Sequence, residues 1–270
     1  MREFPAPKNV MATIKLGGGA VEVVAEERDT VIVDVQPYDD SAAARDYATN
    51  TKVELYGEQL LVESPHPIGS LFRSTPKLRV AVRLPLDSGL TTKVSSADVS
   101  AHGRYSALSA NTASGDVYVE HVAGEAHANT ASGDVRIGRV EGDLRANAAS
   151  GDVTVNFVGG DASTHSASGD IEIDQVEGSV RANTASGEIR IGQARRGQIK
   201  INSASGDVRV GVATGTGVWL DLTTMSGSTS SDLPVGGETP AGGAQLSIQV
   251  RTMSGDIEVH RVGPSMAKAS

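Results

Sequence analysis

Six closely spaced copies of a Ser-Gly-Asp or Ser-Gly-Glu phrase place acidic side chains at Asp116, Asp134, Asp152, Asp170, Glu188 and Asp207, at intervals of 18, 18, 18, 18 and 19 residues, and a seventh follows at 254–256. A row of carboxylates can hold cations, because Ca²⁺ gathers oxygen ligands and would neutralise charges that otherwise repel. Like charges about 5 Å apart cost roughly 0.8 kcal/mol even in water. A simpler role offsets the same repulsion: Asp and Ser beside Gly accept backbone N–H bonds in their own turn. That structural role is the expectation, since the calcium-binding nonapeptide pattern G-G-x-G-x-D-x-U-x is not matched. The recurring serines (Ser114, Ser132, Ser150, Ser168, Ser186, Ser205) are poor nucleophile candidates. A nucleophile is singular and needs one privileged base, and no G-x-S-x-G elbow occurs. The histidines at 66, 102, 121, 127, 165 and 260 form no H-E-x-x-H or His-x-His pattern, so they read as solvated surface groups. Asp134, Asp152 and Asp170 with Arg136 could imitate the lateral groove of a parallel β-helix enzyme acting on acidic sugars, yet their strict repetition points to turn chemistry. No catalytic, cofactor-binding or metal-ligating residue is assigned, and no cofactor is expected.

The elements that carry these columns follow from the same period. After each Gly-Asp turn, β-branched residues fall two apart: Val117/Val119, Val135/Ile137, Val153/Val155, Ile171/Ile173, Ile189/Ile191 and Val208/Val210. This is the alternation of a strand with one buried face. A second Gly turn (Gly124, Gly142, Gly160, Gly178) precedes a run of smaller residues, Ala126/Ala128, Leu144/Ala146, Ala162/Thr164 and Val180/Ala182. Two short strands cannot stand alone in water. Stacking does solve the problem: if each unit makes one coil rising about 4.8 Å, equivalent strands pair in parallel and the inward residues form one narrow core. The fold class is therefore all-β, a parallel β-solenoid with 18 residues per coil. Stacked Asn111, Asn129, Asn147, Asn183 and Asn202, with His165 in the remaining coil, form an amide ladder. Outward positions make two further columns: Tyr118, Arg136, Thr154, Glu172, Arg190 and Arg209 in one, His127, Arg145, Ser163 and Arg181 in the other.

Composition agrees. Ala (32) and Val (31) dominate the apolar residues and aromatics reach only 3%, as expected of a core too thin for rings. A net charge of −9 argues against nucleic acid. The absence of Cys excludes disulfides and thiolate chemistry. No apolar run is long enough for a membrane span, and the first residues lack a secretory h-region, so a cytoplasmic location is expected.

Residues 1–95 are strand-rich without the phrase, with alternating runs at 21–25, 31–35, 53–55, 60–62 and 78–84. They read as a capping section continuous with the solenoid, because an open coil end exposes strand edges. Gly17-Gly18-Gly19 reads as a turn. A short helix is expected at 40–49, capped by Asp40 or Ser41, and a Pro-rich loop at 64–76. The regular solenoid covers 96–211. Residues 212–262 are irregular rungs, where 218–224 and 245–252 form two strands joined by a protruding hairpin or loop, and Trp219 covers the last coil. Residues 263–270 form a disordered tail.

The serial S-A-S-G-D-V copies, the degenerate SSADV before them and the V-x-V-x-V and LP-containing strands of the first section resemble the bacterial β-strand-repeat family known as "putative adhesin", a family of unknown function common in actinobacteria. The resemblance covers nearly the whole chain and implies a β-solenoid with no catalytic residues to carry over. Uniform repetition without a unique polar cluster points to a non-enzymatic scaffold or binding surface, with an unknown protein partner or self-association into a homo-oligomer. The alternatives are a parallel β-helix carbohydrate-active enzyme and a calcium-binding repeat protein.

Overall fold

The computed structural model describes residues 1–6, 8–65, 76–233 and 245–263. His66, most of the loop expected at 64–76 and residues 234–244 of the connection expected between 218–224 and 245–252 lie outside the described residues, as do residues 264–270 of the expected tail. The chain divides into two compact units, Met1–Arg139 and Val140–Ser270.

The first unit contains β1 (Arg2–Pro5), β2 (Met11–Glu26), β3 (Thr30–Pro37), α1 (Ala42–Thr49), β4 (Lys52–Tyr56), β5 (Gln59–Glu63), β6 (Leu78–Pro85), β7 (Ser88–Thr112), β8 (Val117–Val122) and β9 (Ala126–Thr130); β10 (Val135–Val140) follows at the boundary. The central strand is β2. It pairs in parallel with β7 on one side, from Met11↔Gly89 to Val24↔His102, and with β5 and β6 on the other. Antiparallel β1, β3 and β4 then cover β3, β6 and β5 respectively, which protects an edge that would otherwise recruit another chain. Ser41 caps α1 by accepting the Ala44 N–H at 3.1 Å. The 18-residue register begins where Val99 faces Val117 and Leu108 faces Ala126.

Two expectations are corrected here. Gly17–Gly19 does not form a turn but lies inside β2. At Gly19, with φ of 125°, a Cβ would collide with the Leu78 carbonyl oxygen of the adjacent coil, so glycine lets two backbones meet at a corner without breaking the strand. The core also admits a ring. Tyr105 is fully buried, beside a register shift between Ala101 and Arg104; the extra residue of that bulge re-aims the side chain inward. Its hydroxyl donates toward the Val23 and His102 carbonyls, at 2.9 and 3.0 Å.

The second unit contains β11 (Leu144–Ala148), β12 (Val153–Val158), β13 (Ala162–Ser166), β14 (Ile171–Val176), β15 (Val180–Ser186), β16 (Ile189–Ala194), β17 (Gly197–Ser205), β18 (Val208–Ala213), β19 (Val218–Ser226), β20 (Thr229–Ser231), β21 (Leu246–Ser254) and β22 (Ile257–Val262). Strands alternate between two parallel faces, β11–β13–β15–β17–β21–β19 and β12–β14–β16–β18–β22–β20. Equivalent residues sit in register: Val153, Ile171, Ile189, Val208 and Ile257 follow one another and are all buried. Full burial of each such side chain favours the fold by about 1.5–3 kcal/mol. The opposite wall holds Leu144, Ala162, Val180, Ile199 and Leu246, also buried.

The last coils are stacked out of chain order. β21 lies between β17 and β19, and β22 between β18 and β20, so residues 246–262 insert as a coil between 197–213 and 218–231. Of the hairpin or loop expected between 218–224 and 245–252, the hairpin is overturned, because Val218↔Leu246 opens a parallel register. Trp219 does not cover the coil either. It points outward and is 53% exposed, since odd positions of β19 face away from the core.

Candidate functional site

The acidic column proves to be a bonded ladder. In the first unit, Asp98 Oδ1 accepts the Asp116 N–H at 3.1 Å, and Asp116 Oδ1 accepts the Asp134 N–H at 2.9 Å. In the second, Asp152 accepts from Asp170 at 2.9 Å and Asp170 from Glu188 at 2.8 Å. Asp207 likewise accepts from Asp256 at 2.9 Å and Asp256 from Ser228 at 2.8 Å. Asp98, Asp116, Asp152, Asp170, Asp207 and Asp256 thus serve the backbone of an adjacent coil, not their own turn as expected, whereas the Glu188 carboxylate accepts from the Arg209 guanidinium. Two bonds from Ser228, the backbone N–H and then the hydroxyl, hold the Asp256 carboxyl below the usual carboxylate range.

The bond within the turn comes from a different residue. The Gly115, Gly133 and Gly169 N–H groups donate to Thr112 Oγ1, Thr130 Oγ1 and Ser166 Oγ at 2.9, 2.9 and 2.8 Å. Among the described residues, no group of three or more His, Asp or Glu converges as a metal site.

The amide column is bonded as well, with Asn129 Nδ2 donating to Asn111 Oδ1 at 3.0 Å and Asn202 Nδ2 to Asn183 Oδ1 at 2.9 Å. Asn183 Nδ2 lies 3.2 Å from His165 Nδ1, so His165 occupies a ladder position. His102 and His127 lie 3.9 and 3.5 Å from Glu120 and Glu125.

The two outward columns differ in a way composition alone does not show. In the first, every arginine is paired. Arg136 meets Asp134 at 2.8 Å, Arg190 meets Glu172 at 3.7 Å, and Arg209 lies 3.0, 3.7 and 3.6 Å from Glu188, Asp207 and Glu258. In the second, on β11, β13, β15 and β17, Arg145, Ser163, Arg181 and Lys200 follow one another in register. No ion pair or hydrogen bond engages the three cationic groups among the described residues. Arg145 and Arg181 are exposed and Lys200 is half-buried.

These side chains line an open groove of about 280 Å³ together with Asp143, Asp161, Ser179 and Gln198. A second corner ladder forms its wall. Asp143 Oδ1 accepts the Asp161 N–H at 2.9 Å, Asp161 Oδ1 the Ser179 N–H at 2.7 Å, and Ser179 Oγ the Gln198 N–H at 3.3 Å. The wall is therefore rigid, while the second oxygen of each Asp and the three cationic heads remain available to solvent. A larger depression of about 660 Å³ around Arg195 and Arg196 differs, since both arginines are turned to Glu177, whose carboxylate lies 3.8 Å from Arg195 and whose carbonyl accepts from Arg196 at 2.9 Å.

With parallel coils, corner glycines and inter-coil ladders established, the match of residues 13–260 to the Toastrack DUF4097 model is decisive. The chain belongs to the Toastrack family. No curated protein matches it. Among solved structures, a "putative adhesin" from Bacteroides fragilis superposes with a TM-score of 0.50 at 13% identity, covering 97% of this chain and 95% of that one. A second from Parabacteroides distasonis gives 0.46 at 11% identity over 97% and 95%. A protein described as a putative lipid binding protein from the same species gives 0.40 at 15% identity over the same shares. The first of these likenesses supports the Toastrack β-solenoid fold. No helix among the described residues is long and apolar enough to cross a membrane.

The sequence reading placed Arg145, Ser163 and Arg181 in one column but missed Lys200, Asp143, Asp161 and Ser179. Chain arithmetic hides Lys200, because the coil after Arg181 holds 19 residues and a step of 18 lands on inward-facing Ile199. The corner ladder changes identity from Asp to Ser after two coils, so no repeated phrase marks it.

Proposed function

We propose that this Toastrack chain is a non-enzymatic scaffold that binds an anionic ligand on the lateral face formed by β11, β13, β15 and β17. The observation that carries this reading is the contrast between the two columns: the arginines of one pair with carboxylates of their own or an adjacent coil, while Arg145, Arg181 and Lys200 have no ion pair among the described residues and line a groove. Arg181 and Lys200 are register partners on adjacent strands, so an anion bound between them would relieve their mutual repulsion. The repeated acidic and amide columns bond within the scaffold, which leaves them a structural role.

A protein of net charge −9 is repelled by a sulfonate cation-exchange matrix unless a local basic surface holds it. At low ionic strength the full chain should be retained and released by modest salt, whereas R145A/R181A/K200A should pass straight through. Unretarded passage of the unaltered chain would remove this reading.

A further inference from the structure

The groove holds two kinds of chemistry in alternation, and together they narrow the ligand. Arg145, Arg181 and Lys200 present N–H donors with full positive charge. Asp143 and Asp161 present carboxylate oxygens beside them, each with Oδ1 committed to the next coil's backbone and with no further partner among the described residues for Oδ2. A polymer carrying only phosphate or sulfate would satisfy the cations and meet repulsion from the two aspartates. A neutral sugar would satisfy the aspartates and leave the cations unpaired. A ligand with both carboxylates and hydroxyl donors satisfies the whole set, because hydroxyls donate to carboxylates in short, strong hydrogen bonds while carboxylates take guanidinium donors.

Length points the same way. Arg145 and Lys200 stand three coils apart, about 14 Å along the stacking axis, which exceeds one sugar ring. Arg181 and Lys200, one coil apart, and Arg145, two coils from Arg181 across Ser163, therefore meet separate residues of a linear chain lying across the strands. Resting on the proposed lateral binding face, we infer that the groove lined by Arg145, Arg181, Lys200, Asp143 and Asp161 takes an acidic oligosaccharide of the uronic-acid type, its carboxylates on the cations and its hydroxyls on the aspartates.

The test is titration calorimetry of the full chain with oligogalacturonate, a neutral galactan of equal length and polyphosphate of equal charge. Oligogalacturonate should bind, the neutral glycan should not, and polyphosphate should bind at least tenfold more weakly. R181A should weaken oligogalacturonate by about tenfold, the loss of one charge-assisted hydrogen bond. Asp161→Asn keeps the oxygen that accepts the Ser179 N–H and exchanges the free acceptor for a donor. It should weaken oligogalacturonate and strengthen polyphosphate, opposite shifts that misfolding cannot produce. If polyphosphate binds as tightly as oligogalacturonate, or if Asp161→Asn strengthens both, the glycan assignment is wrong and the anion-binding face stands. If the chain is held by the sulfonate matrix yet binds no oligogalacturonate, the same conclusion holds. Failure on the matrix and with every ligand removes both.

Discussion

At the residue scale, one hydroxyl column does two different things. Thr130 Oγ1 accepts the buried Gly133 N–H at 2.9 Å. Thr184, the corresponding residue three positions before Gly187, is buried with no partner for its hydroxyl among the described residues, as is Ser203 before Gly206. The turn explains the change: Gly187 and Gly206 have φ of 153° and 129°, and their N–H groups donate to the Ser205 and Ser254 carbonyls of the adjacent coil. Removing a satisfied hydroxyl orphans a buried donor, whereas removing an unsatisfied one eliminates a desolvation cost. Thr130→Val should therefore destabilise the protein by about 1–3 kcal/mol, and Thr184→Val should be neutral or stabilising. Chemical denaturation of the two variants checks this, and equal losses would contradict the turn assignment.

At the element scale, the strand pairs and their turns were legible because Val and Ile recur two apart after each Gly-Asp. A column such as Val153, Ile171 and Ile189 has one inward direction at every coil. The bulge in β7 was not legible. Nothing in His102-Gly103-Arg104-Tyr105 distinguishes an outward tyrosine from a buried one; the decision is made by Gly103, where φ is 88° and a Cβ would collide with the Ala25 carbonyl oxygen. Burial, and secondarily the charge of Glu120, raise the Tyr105 phenol above its usual value of about 10. The folded state thus holds this proton more tightly than the unfolded chain. Its contribution is fully present below pH 10 and falls as pH rises beyond it. Alkaline unfolding monitored by circular dichroism should show this loss in the unaltered protein and a shallower slope in Tyr105→Phe, even though that variant forfeits the bond to the Val23 carbonyl. Identical slopes would contradict burial of the phenol.

At the whole-molecule scale, both units depart from chain order where their regular stacking ends. In the first, β2 lies between β7 and the later β5 and β6; in the second, residues 246–262 insert between 197–213 and 218–231. Periodicity does not reveal this, because pairing partners such as Ile199 and Ile248 are separated by a detour whose length carries no phrase. The functional reading, by contrast, depends on the regular part alone. Arg145, Arg181 and Lys200 form a row only if residues one coil apart stand side by side. The absence of native cysteine allows that proposition to be measured directly. Ser163 and Arg181 are register partners on adjacent parallel strands, within the Cα separation that a disulfide spans. Under mild oxidation, the double variant Ser163→Cys/Arg181→Cys should close an intramolecular disulfide nearly quantitatively, seen by mass spectrometry as the loss of two protons in the monomer. Two free thiols in a folded monomer, or cross-links only between chains, would contradict the stacked coils and the cationic row built on them.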